Sequence, residues 1–300
     1  MPAPSPVQTT PPSSSRAADR PRLGIAFILL ASLLFAIADA FGKLLTEHYP
    51  TTQIIWLRSV FGTLLIALAI LLSGNHRHFI SHRPGWHLVR SGVGLLLTTG
   101  IVIGLKFIPL AEVTSLVFAT PLLVALYAAF IQGESVPASI FWAIGLGFIG
   151  VLCVVRPTPE HFHPAHLFML CFACAAAFLA ITARTLADTE SVLTLNLYLY
   201  PVTAVTVAYW ALTDWRWPDA AGWGVFLLTS LFATLALFCV TKAMHCARPA
   251  LVAPFDYVRI LWTVAIGYLF WDEFPDHFTW LGMLIVVLSG LYIVTRPRPA

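Results

Sequence analysis

The sequence predicts an all-α integral membrane protein, with ten transmembrane helices arranged as two inverted five-helix repeats. Three observations predict it. Of the 300 residues, 59% are hydrophobic and only 10% charged, with a mean hydropathy of +0.84, whereas soluble domains carry about 25% charged residues. Apolar runs of about 20 residues, the length that crosses a bilayer, recur along nearly the whole chain. The second half also repeats the pattern of the first across an odd number of such runs. Ten spans consume about 70% of the chain at that length, which leaves short loops and excludes a soluble catalytic or nucleic-acid-binding domain.

Residues 1–22 are rich in Pro and Ser with three Arg and cannot bury enough apolar surface to order themselves, so they read as a disordered cytoplasmic tail. The first apolar run is 23–45. Ala38-Asp39-Ala40 within it resembles a small-residue cleavage site, but the long polar leader and the length of the run favour an uncleaved first span. Further runs follow at 52–72, 87–106, 110–131, 137–155, 165–184, 192–212, 222–242, 249–270 and 277–295, each bounded by Pro, Gly or charge. Gly100-xxx-Gly104 and the IGLGFIG stretch from Ile144 to Gly150 suit close helix packing in lipid. Strand-like alternation is missing from every run, which disfavours an outer-membrane barrel.

Loop charges set the orientation. With the N-terminus in the cytoplasm, eleven basic residues fall inside: Arg16, Arg20, Arg22, Arg77, Arg83, Arg90, Arg184, Lys242, Arg248, Arg296 and Arg298. Four fall outside: Lys43, Lys106, Arg156 and Arg216. The bias places both termini in the cytoplasm and requires an even number of spans.

The repeat is legible in two stretches. IPLAEVTSLVFATPLLVALYAAFIQGE leads through a hairpin into SIFWAIGLGFIGVLCVVRP, and ARPALVAPFDYVRILWTVAIGYLFWDE leads through a hairpin into FTWLGMLIVVLSGLYIVTRP. Each copy closes on Arg-Pro, Arg156-Pro157 and Arg296-Pro297. The units are 23–157 and 165–297, five spans apiece, and an odd count inverts the second copy relative to the first, as in secondary transporters.

These stretches, together with WLRSVFG in the second span, resemble the drug/metabolite transporter superfamily, specifically its EamA family, over about Leu23 to Pro297. The resemblance implies an inner-membrane carrier of small organic metabolites that works by alternating access, often exporting amino acids or related compounds. Uptake of S-adenosylmethionine or riboflavin is the alternative within the class. A membrane-embedded lipid enzyme or a channel is the alternative outside it.

An ionisable side chain deep in a span is costly unless paired or hydrated, and so marks a candidate site. Asp39, Arg58, Asp256 and Arg259 qualify. At 1.5 Å per residue Asp39 and Arg58 both lie about 9 Å below the outer surface and can pair across the first two spans, while Asp256 and Arg259 lie about 10 and 15 Å from the inner side. The latter two are spaced i,i+3, on one helical face, where they can pair directly. Pro254 and Pro121 break the ninth and fourth spans, and broken helices at the midplane are where transporters build sites. Two carboxylates and two guanidiniums suit either a zwitterionic ligand or mutual neutralisation. For proton coupling, Asp39 and Asp256 are the deep carboxylates, ahead of Glu112 at the outer mouth of the fourth span.

Aromatic rings accompany the charges: Trp56 near Arg58, Phe255 and Tyr257 beside Asp256, and Trp262 one turn past Arg259. Asn196 and Tyr198 stand with Tyr200 and Pro201 in the seventh span. A cavity so lined fits an amphipathic metabolite through stacking and cation–π contact; lipid-facing or packing roles are the plain alternative. Seven of the ten His cluster in two loops and the five Cys lie in or near spans, without the ligand constellation of a metal site. No Walker or nucleophile-elbow sequence occurs, so no cofactor, enzymatic activity or nucleic-acid partner is expected. The partners are a small-molecule substrate and the lipid bilayer, with proton coupling and a homodimer both compatible.

Overall fold

The computed structural model describes residues 21–130, 138–156, 158, 161–186, 189–246 and 255–295. Of the residues invoked above, Arg16, Arg20, Pro157, Arg248, Pro254, Arg296, Pro297 and Arg298 lie outside this set, as does the side chain of Arg184. The described residues form helices α1 (Pro21–His48), α2 (Thr51–Leu72), α3 (Pro84–Phe107), α4 (Leu110–Val117), α5 (Thr120–Phe130) and α6 (Ala138–Val155). The second half supplies α7 (Ala165–Thr185), α8 (Val192–Leu197), α9 (Pro201–Thr213), α10 (Ala220–Cys246), α11 (Arg259–Trp271) and α12 (His277–Thr295). Seven segments are long and apolar enough to cross a membrane. Three shorter apolar ones, 110–124, 259–271 and 277–293, complete an arrangement that fits ten spans. "Near face" below denotes the side at which α1 begins, and "far face" the opposite side.

Packing follows a pseudo-twofold pattern. The first span (α1) lies against the eighth (α10), and the exchange of repeats maps this pair onto the sixth (α7) against the third (α3). The fifth packs on the tenth (α6 on α12) and the second on the seventh (α2 on α9), each pair being its own mate under the exchange of repeats. Small residues permit the closest of these approaches. A Cβ on Gly100 or Gly104 of α3 would stand 2.7 Å from the Phe168 carbonyl oxygen or 2.4 Å from Met169 Sδ of α7. A Cβ on Gly150 of α6 would meet the carbonyl oxygen of Gly282 on α12 at 2.9 Å, and one on Gly282 would meet that of Gly150 at 2.6 Å. Backbone cannot yield as a flexible side chain can. Gly150→Ala is therefore expected to lower stability by about 1–3 kcal/mol through overpacking, read as a lower melting temperature in detergent. Gly145→Ala, where nothing lies within 4 Å, is expected to be neutral, and equal effects at the two positions would refute this packing.

Two spans are broken for one reason. Pro121 has no N–H to give the carbonyl of residue 117, and α4 ends at Val117. Pro201 likewise has none for residue 197, and α8 ends at Leu197. The ninth span breaks at Tyr257 and Val258, in register with the Phe118–Ala119 break when the two repeat stretches ending in Glu134 and Glu273 are aligned. There Pro121 is matched by Ile260, so the break is kept although that proline is not. The broken spans meet: the Phe118 and Tyr257 rings lie 4.6 Å apart, and Phe118 is about 12 Å below the far-face start of α4, near the middle of a hydrocarbon core of about 30 Å.

Candidate functional site

Where the broken fourth and ninth spans cross, buried charge collects. Asp39 of α1 accepts a short charge-assisted hydrogen bond from Nη2 of Arg259 at the start of α11, and the two are 2% and 7% exposed. The guanidinium also lies over the Phe35 ring, 4.8 Å from its centroid. Both anticipated pairings are thereby corrected. Arg259 turns to Asp39 of the first repeat rather than to Asp256, because the break at Tyr257–Val258 interrupts the helical face that an i,i+3 pair needs. Asp39, so engaged, is not bound to Arg58.

The two charges left over remain unpaired among the described residues. The Asp256 carboxylate stands in the field of Arg259 without bonding to it, and its Oδ1 is buried with no hydrogen-bond partner. Buried Tyr257 Oη and Thr120 Oγ1 likewise have none. Arg58 has a buried, unpartnered Nη1, which a Cβ on Gly42 of α1 would approach to 3.8 Å. Tyr200, at the break of the seventh span, lies within electrostatic reach of Arg58 and rests its ring on Gly62 of α2. Thr203 Oγ1, one turn further along α9, is also buried without a partner.

Other sequence candidates stand apart from this centre. Trp56 packs edge-on against Trp215 of the far-face loop, 5.8 Å away. Tyr198 belongs to the near face, where its hydroxyl donates to the Phe79 carbonyl (2.8 Å) and its ring lies 4.7 Å from that of His87; Asn196 is in the short helix α8 that Tyr198 caps. Phe255 packs with Ile25, Phe27, Ile28 and Val240. Trp262 is 39% exposed, at the outside of the bundle. Pro121 does lie in the centre, as the cause of the fourth-span break.

The sequence reading passed over the contacts that close the two ends. At the far face Lys43, counted above as a loop charge, is 7% exposed and reaches both carboxylate oxygens of Glu273 at 2.5 and 2.6 Å. The same carboxylate accepts from the backbone N–H of Leu110 at the N-terminus of α4 (3.2 Å), a favourable place for negative charge. Asp272 makes this reach feasible: its left-handed φ of 54° ends α11 and lets the Glu273 N–H fold back to the Gly267 carbonyl. Trp271 Nε1 donates to Glu47 (2.5 Å), Gln53 and Arg216 exchange two hydrogen bonds (2.7 and 3.0 Å), and Arg156 bonds Asp276. Each contact joins one repeat to the other. Beside them a pocket of about 420 Å³ is lined in part by Glu112, His163, His166 and Glu273, and His166 Nε2 lies 3.4 Å from Glu112. At the near face Glu190 of the second repeat accepts from Ser81 Oγ (2.9 Å) and the N–H groups of His82 (2.8 Å) and Arg83 (3.0 Å) of the first. Among the described residues no three His, Cys, Asp or Glu converge as metal ligands.

Two loop carboxylates, one at each end, are held below their usual range. Burial alone would raise the Asp276 pKa, but hydrogen bonds from Arg156 and from Thr279, with the Arg156 charge, bring it down to about 2. Glu190 is likewise held below its usual range: burial opposes this, but bonds from Ser81, His82 and Arg83 and the nearby His87 prevail. A depressed carboxylate pKa contributes stability above the ordinary value, lost only as pH falls through the depressed one. Asp276→Asn is therefore expected to lower the melting temperature by the same amount at pH 5 and pH 8. An effect at pH 8 that vanishes at pH 5 would contradict the assignment.

Broken spans that meet at mid-depth, buried charges at their crossing, and repeats clasped to each other at both ends define a multi-pass membrane transporter built from two homologous halves. The chain belongs to the EamA-like transporter family, whose model matches residues 22–156 and again 163–295. It is 26% identical over 277 residues to a pseudopaline exporter of Pseudomonas aeruginosa, covering 89% of this chain and 94% of that protein. It is also 26% identical over 274 residues to an S-adenosylmethionine uptake transporter of Rickettsia prowazekii, covering 90% and 92%. A solved crystal structure, 17% identical, shares the fold at a TM-score of 0.62 over 91% of this chain and 96% of that one.

Proposed function

We propose that this chain is a secondary transporter that moves a small polar or amphipathic metabolite across the inner membrane by alternating access, with the near face and both termini in the cytoplasm. The cargo class is an amino acid or amino-acid derivative, and the direction is export or exchange. The observation that carries this reading is the crossing of the broken fourth and ninth spans at Phe118 and Tyr257, with Asp39 and Arg259 joining the repeats beside it. A helix broken at mid-depth frees backbone groups and lets its two halves move separately, the construction secondary transporters use around a fixed site. The excess of Lys and Arg in near-face loops supports the orientation. Of the two relatives, one is named for export and the other for uptake of S-adenosylmethionine, a compound that carries an α-amino acid group. Uptake is therefore the second reading, served by the same cycle run in reverse.

Purified protein in proteoliposomes is expected to show saturable counterflow, with labelled solute entering faster when the unlabelled solute is preloaded. Unsaturable flux would favour a channel, and lipid turnover without flux an enzyme. A pH gradient imposed on the same vesicles tests proton coupling: concentrative uptake driven by the gradient alone supports it, and flux by exchange alone counts against it.

A further inference from the structure

We propose that the central site is bipolar and selects solutes carrying both an anionic and a cationic group, with Arg58 receiving the carboxylate and Asp256 the cation, while Asp39 and Arg259 form an internal pair that substrate does not displace. The inference rests on the carrier reading above and specifies the chemistry of the same site.

The four deep charges sum to zero, yet the fold neutralises only two of them directly. Asp39 and Arg259 are bonded to each other, almost wholly buried, and covered by the Phe35 ring. Their charges are used up. Arg58 and Asp256 are opposite in sign and take no ion-pair partner among the described residues, and each keeps a buried polar atom unbonded. Leaving a charge buried and unpaired is costly, and a protein that needed only stability would have joined these two. It keeps them apart instead. Arg58 reaches α1 at Gly42, and span nine reaches α1 one turn earlier, through Arg259 at Asp39, so the two spans that carry the poles meet the same strip of α1.

Each pole has a neutral hydrogen-bonding group placed to finish a ligand contact. Around Asp256 this is the unbonded hydroxyl of Tyr257, within electrostatic reach of the carboxylate. Around Arg58 it is the Tyr200 phenol, at the break of the seventh span. A guanidinium is suited to a carboxylate, which it can hold by two parallel bonds, and a carboxylate backed by a hydroxyl is suited to an ammonium or sulfonium. The Phe118 and Tyr257 rings, packed at a tilt, provide an apolar wall for the body of the solute. A solute with both charges compensates both poles at once. An anion or a cation alone leaves the other pole exposed, and a neutral solute leaves both.

The test uses the full chain in proteoliposomes. Counterflow is measured with L-phenylalanine, L-methionine, S-adenosylmethionine and riboflavin, and the methyl esters and N-acetyl derivatives of the two amino acids are used as competitors. We expect exchange of at least one of the three zwitterions and none of riboflavin, with the single-charge derivatives competing about 30-fold or more weakly than the parent, the scale of removing one partner of a buried charge pair. Arg58→Gln should make parent and methyl ester equal competitors, Arg58→Lys should recover part of the preference, and Asp256→Asn should make parent and N-acetyl derivative equal. Size-exclusion profiles and melting temperatures of each variant separate lost recognition from lost folding. Preferences that persist unchanged in well-folded Arg58→Gln and Asp256→Asn overturn the proposal. Exchange of riboflavin but of no zwitterion also overturns it while leaving the carrier reading in place, and exchange of none of the four by monodisperse protein counts against the carrier reading itself.

Discussion

Arg259→Gln is expected to abolish transport and to cost about 3–5 kcal/mol of stability, because it strands the Asp39 carboxylate in the bundle without its partner. Thermal unfolding in detergent, followed alongside flux, reads both. The double variant Asp39→Asn with Arg259→Gln removes both charges, so most of the stability should return, since replacing a whole buried pair is far milder than breaking one. Flux should return in part with it, because the pair positions the first span against the ninth without touching solute. A double variant as stable as the parent but inactive would show instead that Asp39 or Arg259 binds cargo.

Glu273→Ala is expected to open the far face. One carboxylate there holds the Lys43 ammonium and the Leu110 N–H, so three spans, the first, fourth and ninth, lose their common tie. A loss of about 1.5–3 kcal/mol for hydrogen bonds to a charged group corresponds to about a tenfold or greater shift toward the open form. A cysteine placed at Val113, fully buried one turn inside α4, should then react about tenfold faster with a membrane-impermeant thiol reagent added from the far side. Exchanging the charges, Lys43→Glu with Glu273→Lys, restores the pair but not the cap on Leu110, so labelling should fall only part of the way back. Unchanged labelling in Glu273→Ala would remove the gating role of this contact.

The spans and their repetition were legible because bilayer length and apolar composition are local properties that each run carries by itself. That Asp39, Arg58, Asp256 and Arg259 fall within apolar runs followed from counting residues. Their partners did not, because pairing across helices depends on rotation and on where a span breaks, and the break at Tyr257–Val258 has no proline at the position equivalent to Pro121. Lys43 shows the same limit: at the end of α1 it counted as a loop charge, yet it lies one helical turn beyond Asp39, on the face that meets span nine. That i,i+4 spacing was the available signal. The aromatic residues misled for a similar reason: Trp56 and Trp262 are near Arg58 and Arg259 in sequence, but one packs against Trp215 and the other is exposed at the outside of the bundle.

The central claim is that the two repeats move against each other about the charged crossing. Distances between paired spin labels test it most directly, on a background lacking the five native cysteines, with one pair at Lys106 and Asp272 on the far face and another at Asn75 and Thr295 on the near face, all exposed positions. Adding a transported solute should change the two distances in opposite senses, the far pair lengthening as the near pair shortens or the reverse. Distances that stay fixed in labelled protein that still transports would contradict the account.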